Sequence, residues 1–222
     1  MTRPTFVFDL DGTLVDTAPD LVGALNVVLA LEDLAPITVQ DVRHMVGHGA
    51  RAMIRRGLDW RGRAVSDTRF EELVEAFLGH YELHIADESG LYPDVPEVIE
   101  ALAADGVQLA ICTNKPEKLA ILLVEAIGLR SRFAAICGAD TFSARKPDPL
   151  HLTETIRLAG GAIDRAVMIG DSPTDRETAR NAGIPCILLD YGYTDVPVQE
   201  LAPEAILSHF RDVPATARKL LA

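Results

Sequence analysis

Among 222 residues there are only three cysteines, one tryptophan and 5% aromatic side chains, and acidic residues outnumber basic ones 33 to 21. Each shortage excludes something. Cys112, Cys137 and Cys186 lie in or beside short apolar runs (LAICT, AAICG, PCILL) with no pair at metal-ligand spacing, so a disulfide framework or a zinc site is not expected. Buried free thiols in a reducing compartment are the simpler reading. A net charge of −12 offers no clustered cations for a nucleic-acid backbone. It does not argue against a small anionic substrate, which responds to local charges and metal ions. No apolar stretch approaches the roughly 20 residues of a membrane-spanning helix, and the run in MTRPTFVFDLDG is too short for a secretory leader. The expectation is therefore a soluble cytoplasmic protein with neither nucleic acid nor membrane as partner. Internal repeats and low-complexity tracts are also missing.

What remains is a chain long enough for one domain with a substantial insertion, or for two small ones, and 48% hydrophobic. Four apolar runs stand out, Thr5–Phe8, Val107–Cys112, Ala166–Ile169 and Cys186–Leu189, with a weaker fifth at Phe133–Cys137. They are continuous rather than alternating, as parallel strands covered on both faces are. Between them lie helical segments that open near a proline and close at a glycine: Pro96 to Gly106, Pro116 to Gly128, Pro149 to Gly160 and Thr174 to Gly183. The alternation predicts a doubly wound α/β sheet. The interval from Leu10 to Val107 is too long for one crossover, and helical spacing recurs in Ala18–Leu34, Thr38–Val46, Gly49–Gly57 and Ser66–His84. A helical cap over residues 17–88 is expected, inserted into a core of residues 1–16 and 89–222. A last short strand at Ala205–Leu207 and a closing helix complete the reading.

The strands end in polar residues. FDLDGT sends Asp9 and Asp11 from the carboxyl end of the first strand, the edge where open α/β sheets bind ligands. Two acids so close repel unless a cation or proton relieves them, and a divalent metal such as Mg²⁺ would suit. An acidic surface turn is the plain alternative. The second strand runs into Thr113-Asn114-Lys115, whose hydroxyl and backbone N–H groups could take phosphate oxygens or simply start a helix. Lys146, in ARKPDP, is either a site residue or a solvated charge. Asp171 and Asp175, after the fourth strand, are either metal ligands or helix-capping acids. The order acids, hydroxyl, lysine, acids, always at strand ends, favours phosphoryl transfer over the plain readings.

In these residues the chain resembles the haloacid dehalogenase superfamily, whose four ordered motifs match FDLDGTLVDT, CTNK, the lysine of ARKPDP and IGDSPTDRETARNAG. Within it, VGHGARAMIRRGL, SGLYPDV, TNKP, KPDP and LDYGY look most like the phosphoglycolate phosphatase branch. The resemblance implies a Rossmann-like core and a Mg²⁺-dependent phosphomonoesterase acting on a small phosphorylated metabolite, as a monomer or homodimer. It implies Asp9 as nucleophile and Asp11 as acid and base. Thr113 and Lys146 would steady the phosphoryl oxygens, with Asn114 beside the substrate. Mg²⁺ would sit on the Asp9 and Asp171 carboxylates and the Asp11 backbone carbonyl, with Asp175 orienting from behind. Retention of an acid at Asp11 fits monoester hydrolysis. Arg51, Arg55, Arg56 and His48 are the cap cations available to a substrate carboxylate, Arg51 first because it follows the GHGA turn. The alternatives are a phosphatase for another small metabolite, a sugar phosphomutase of the same superfamily, a phospho-acceptor switch and a binding module without catalysis.

Overall fold

The computed structural model describes residues 3–42, 49–194 and 196–222. Six parallel strands form one sheet: β1 (Thr5–Phe8), β4 (Gln108–Cys112), β5 (Ala135–Cys137), β6 (Ala166–Gly170), β7 (Cys186–Leu189) and β8 (Ala205–Leu207), in the order β5-β4-β1-β6-β7-β8. Their sequence runs are unbroken because both faces are buried. Phe6, Phe8, Leu109, Ile111, Val167, Ile169, Ile187 and Leu189 face one side, packed on α5 (Val95–Ala104), α6 (Glu117–Ala126) and α9 (Val213–Leu220). Val7, Ala110, Met168 and Leu188 face the other, with α7 (Pro149–Leu158) and α8 (Pro173–Ala182). All three cysteines belong to this second face, buried and free; burial pushes the Cys112 thiol up to about 12, which leaves it unreactive.

The chain leaves β1 toward β4 on one side and returns to β6 on the other. The carboxyl ends of β1, β4 and β6 therefore meet at the point where the winding reverses, where a crevice forms.

The long interval after β1 holds α1 (Ala18–Ala30), α2 (Val39–Val42), α3 (Ala50–Trp60) and α4 (Asp67–Leu83). Their apolar faces make a separate core, including Leu25, Met53, Ile54, Phe70 and Phe77, joined from outside by Leu119 and Tyr193. The chain enters this cluster through β2 (Val15–Asp16) and leaves through β3 (Gly90–Leu91), which pair antiparallel, so both crossings lie side by side. Two helix limits differ from the periodicity. The first helix stops at Ala30, not Leu34, because Asp33 turns into the left-handed region (φ 56°) and Leu34 N–H donates back to Leu29 O. The third runs past Gly57 to Trp60: this glycine is no terminator but a close approach, where a Cβ would lie 2.9 Å from Leu25 Cδ1. Helix α2 is described only to Val42, and the rest of the expected Thr38–Val46 helix lies outside the described residues. No described helix is long and apolar enough to cross a membrane.

Candidate active site

The crevice begins with the turn after β1. Leu10 O accepts from the N–H groups of Thr13, Leu14 and Val15, folding DGTLV into a tight loop. Gly12 holds φ 81° there, and a Cβ on it would lie 2.5 Å from Asp171 Oδ2, so both backbone and neighbour require glycine. The loop leaves Asp9 beside the end of β6, with its N–H donating to Ile169 O. Asp9 Oδ1 accepts from Leu10 N–H (2.7 Å) and stands 3.0 Å from Lys146 Nζ.

Lys146 is buried, its ammonium bridging Asp9 and Asp175 (2.7 Å). It is not a solvated surface charge. Burial works against the charge of Lys146, but Asp175 and Asp9 outweigh it and hold the group protonated well above the ordinary lysine value. The loop carrying it is braced twice: Asn114 Nδ2 donates to Lys146 O (3.0 Å), and Lys146 N–H donates to His151 Nδ1 (3.1 Å). Burial, aided by Lys146, lowers His151 to about 4, so its ring is neutral and can accept.

Asp175 resolves the choice between capping and site roles by doing both. Its Oδ2 accepts from Asp171 N–H and from Ser172 N–H and Oγ in a capping box, while Oδ1 takes Lys146. Asp171 is aimed by Thr13 Oγ1 (2.8 Å) and by Tyr193 N–H (2.8 Å). Asp9, Asp171 and Asp175 each offer an oxygen, all within 4.8 Å of one another. Burial, with the neighbouring acids, raises Asp9 to about 6 against the pull of Lys146, and Asp171 is pushed up for the same reasons. Three carboxylates around one ammonium, Asp171 and Asp175 buried and Asp9 half-buried, are short of positive charge, and their oxygen-only donor set suits a hard divalent cation.

Asp11 points elsewhere. Its carboxylate accepts from Thr17 Oγ1 (2.7 Å) and from Lys115 Nζ (2.9 and 3.2 Å). Thr113 is buried, and its Oγ1 accepts from Lys115 N–H (3.2 Å). It does not cap α6, whose first turn has no side-chain cap. Asn114 Oδ1 is buried with no hydrogen-bond partner among the described residues.

Asp9, Asp11, Thr113 and Asn114 line a cavity of about 570 Å³ closed on the far side by Leu21 of α1, Met53 of α3 and Phe77 and Tyr81 of α4. The crevice thus gathers Asp9, Asp11, Thr113, Asn114, Lys146, Asp171 and Asp175. Arg51 lines the same cavity, but its guanidinium makes two hydrogen bonds to Glu71, and its side chain is 58% exposed. Arg55 lies over the Phe70 ring instead, and His48 falls outside the described residues. Lys115, Tyr81, Thr13, Thr17 and Tyr193 also shape the site through their side chains or N–H groups. All but Tyr81 stand inside the motifs above, yet nothing in a linear string shows which neighbour of a motif residue turns inward.

Comparison with known proteins points to one family. The model of the haloacid dehalogenase-like hydrolases matches residues 6–189. A phosphoglycolate phosphatase of Mesorhizobium japonicum is 51% identical over 210 residues, covering 95% of this chain and 92% of that protein. One from Agrobacterium fabrum is 47% identical over 219 residues, covering 98% and 94%. The crystal structure of a predicted phosphoglycolate phosphatase from Haemophilus somnus superimposes with a TM-score of 0.90 at 30% identity, covering 97% of this chain and 98% of that one. With family match, relatives and crevice in agreement, the chain belongs to the haloacid dehalogenase-like hydrolase family.

Proposed function

We propose that this hydrolase is a Mg²⁺-dependent phosphomonoesterase that works through an aspartyl-phosphate on Asp9, with 2-phosphoglycolate as substrate and the cytoplasm as its place of action. One observation carries the reading: Asp9 lines the cavity, held by Leu10 N–H and Lys146, beside the buried acids Asp171 and Asp175. The substrate follows from the relatives named phosphoglycolate phosphatase, two of them about half identical over nearly the whole chain.

In this reading an Asp9 oxygen attacks phosphorus and the ester P–O bond breaks. Asp11 gives its proton to the departing alkoxide, then takes one from the water that attacks the phosphorus of the Asp9 acyl phosphate, releasing phosphate and restoring the Asp9 carboxylate and the Asp11 acid. Thr113 and Lys146 hold the phosphoryl oxygens, and Asn114 keeps the Lys146 loop in register. Mg²⁺, held by the Asp9 and Asp171 carboxylates and the Asp11 carbonyl, would supply charge neutralisation. Asp175 positions Lys146. Residues 17–88 act as a cap over a core of residues 1–16 and 89–222, excluding water during the reaction.

Asp9→Asn is the test. It should abolish phosphate release from 2-phosphoglycolate and leave no acid-stable phosphorylated protein after quenching with labelled substrate, whereas the unaltered enzyme is labelled. Turnover by Asp9→Asn at the normal rate would refute the nucleophile. A substrate panel of phosphorylated metabolites, with and without Mg²⁺, tests substrate and metal separately.

A further inference from the structure

Lys115 lines the cavity with a side chain only 4% exposed. An ammonium buried that far is costly unless partners replace its water. Two do: Nζ donates to the Asp11 carboxylate and to Tyr81 Oη (2.8 Å), and it stands 4.6 Å from the centre of the Tyr81 ring. Asp11 belongs to the loop after β1 and Tyr81 to α4, so Lys115 joins the two walls of the cavity. Its contacts to Asp11 are 2.9 and 3.2 Å, so both carboxylate oxygens hold the ammonium at the cavity wall.

Among the described residues, the other cations around the cavity are committed or peripheral. Lys146 is shared by Asp9 and Asp175. Arg51 is neutralised by Glu71 in solvent. Arg145 lines the cavity only from an exposed position. The wall beside Tyr81 is apolar, with Met53, Val74, Phe77 and Leu78.

We propose that Lys115 is the specificity-determining residue of the site, its ammonium, steadied by Tyr81, receiving a second anionic group that the substrate carries next to its phosphoester. The inference rests on the phosphomonoesterase reading above. If Asp11 meets the ester oxygen, a carboxylate on the adjoining carbon comes within reach of the ammonium bound to that same Asp11. A neutral substituent there gains no charged partner, and a polyol would strand its hydroxyls against the apolar wall. The substrate class is therefore small phosphoesters of hydroxy acids rather than sugar phosphates.

Initial rates on 2-phosphoglycolate and on ethyl phosphate, which lacks the carboxylate, give a preference as a ratio of kcat/KM values. Lys115→Met is expected to lower that ratio by about tenfold or more, through KM for 2-phosphoglycolate, as loss of a bond between charged groups would. Tyr81→Phe, which removes one hydroxyl, should lower it by a smaller factor. An unchanged ratio in folded Lys115→Met, or an equal loss on both esters, overturns the proposal, because Lys115 would then serve Asp11 alone. Should that variant fail to fold, an unchanged ratio in Tyr81→Phe overturns it instead. Failure of the underlying reading looks different: the unaltered protein would hydrolyse neither ester.

Discussion

Lys146 shows how far a single buried charge can organise a site. Its ammonium is the partner of two carboxylates, Asp9 and Asp175, and its backbone is held by Asn114 and His151. Lys146→Met would leave the buried Asp175 and the half-buried Asp9 without their cation. Removing one partner of a buried pair costs about 3–5 kcal/mol, and removing a donor aimed at developing charge costs about 10²–10³-fold in kcat. Both losses are expected together, in a thermal melt and in steady-state rates. A loss of activity with an unchanged melt would mean that the ammonium contributes little to folding. Lys146 was legible as a candidate from its place between a strand and a proline-started helix; its double pairing was not, because Asp9 and Asp175 are remote in sequence. Lys115 is the harder case: it directly follows two residues that were singled out, and only the approach of α4 with Tyr81 gives it a role.

At the scale of elements, the junction between the sheet and the helical cluster depends on more than the short β2–β3 pairing. Asp20, buried in the first turn of α1, accepts from Glu88 N–H, Ser89 N–H and Ser89 Oγ in the segment that leads into β3. It ties the outgoing and incoming segments at one carboxylate, favoured there by the amino-terminal end of the helix. Asp20→Ala should destabilise the protein by about 2–3 kcal/mol, in line with hydrogen bonds to a charged group, and should show as a lower urea midpoint. The midpoint of Asp20→Asn should fall between those two, since an amide oxygen still accepts. A second tie runs through Tyr193, whose N–H aims Asp171 while its hydroxyl donates to Asp16 and accepts from Ala18 N–H. The loop that positions a candidate metal ligand is thus fastened to the entrance of α1. The helices and strands themselves were readable from proline and glycine punctuation and from apolar runs. Asp20 was not, since an acid in a first helical turn is ordinary.

The whole molecule carries an excess of acid, with three carboxylates gathered in its interior. Burial first, then the neighbouring acids, raises Asp9 from an ordinary value of 3.8 to about 6 and raises Asp171 as well. A carboxyl raised on folding contributes stability that is present below its unfolded value and lost as pH rises through its folded one. The metal-free protein should therefore lose this contribution between about pH 4 and pH 6, and a bound divalent cation should offset the loss. Melts in EDTA and in Mg²⁺ should differ by more at pH 8 than at pH 5. An equal difference at both values would show that the cation does not bind through these ionised acids.

The amino-acid string alone determined the doubly wound sheet, the run of helices after its first strand and the polar residues at the strand ends. Hydrophobic runs, helix punctuation and motif order are local properties, and local properties survive in one dimension. Tertiary structure alone decided which groups pair. It put Asp175 against Lys146, tied Arg51 to Glu71, and brought Lys115 between Asp11 and Tyr81. Those pairings join segments far apart along the chain, and electrostatic partnership depends on distance through space, which residue order does not record.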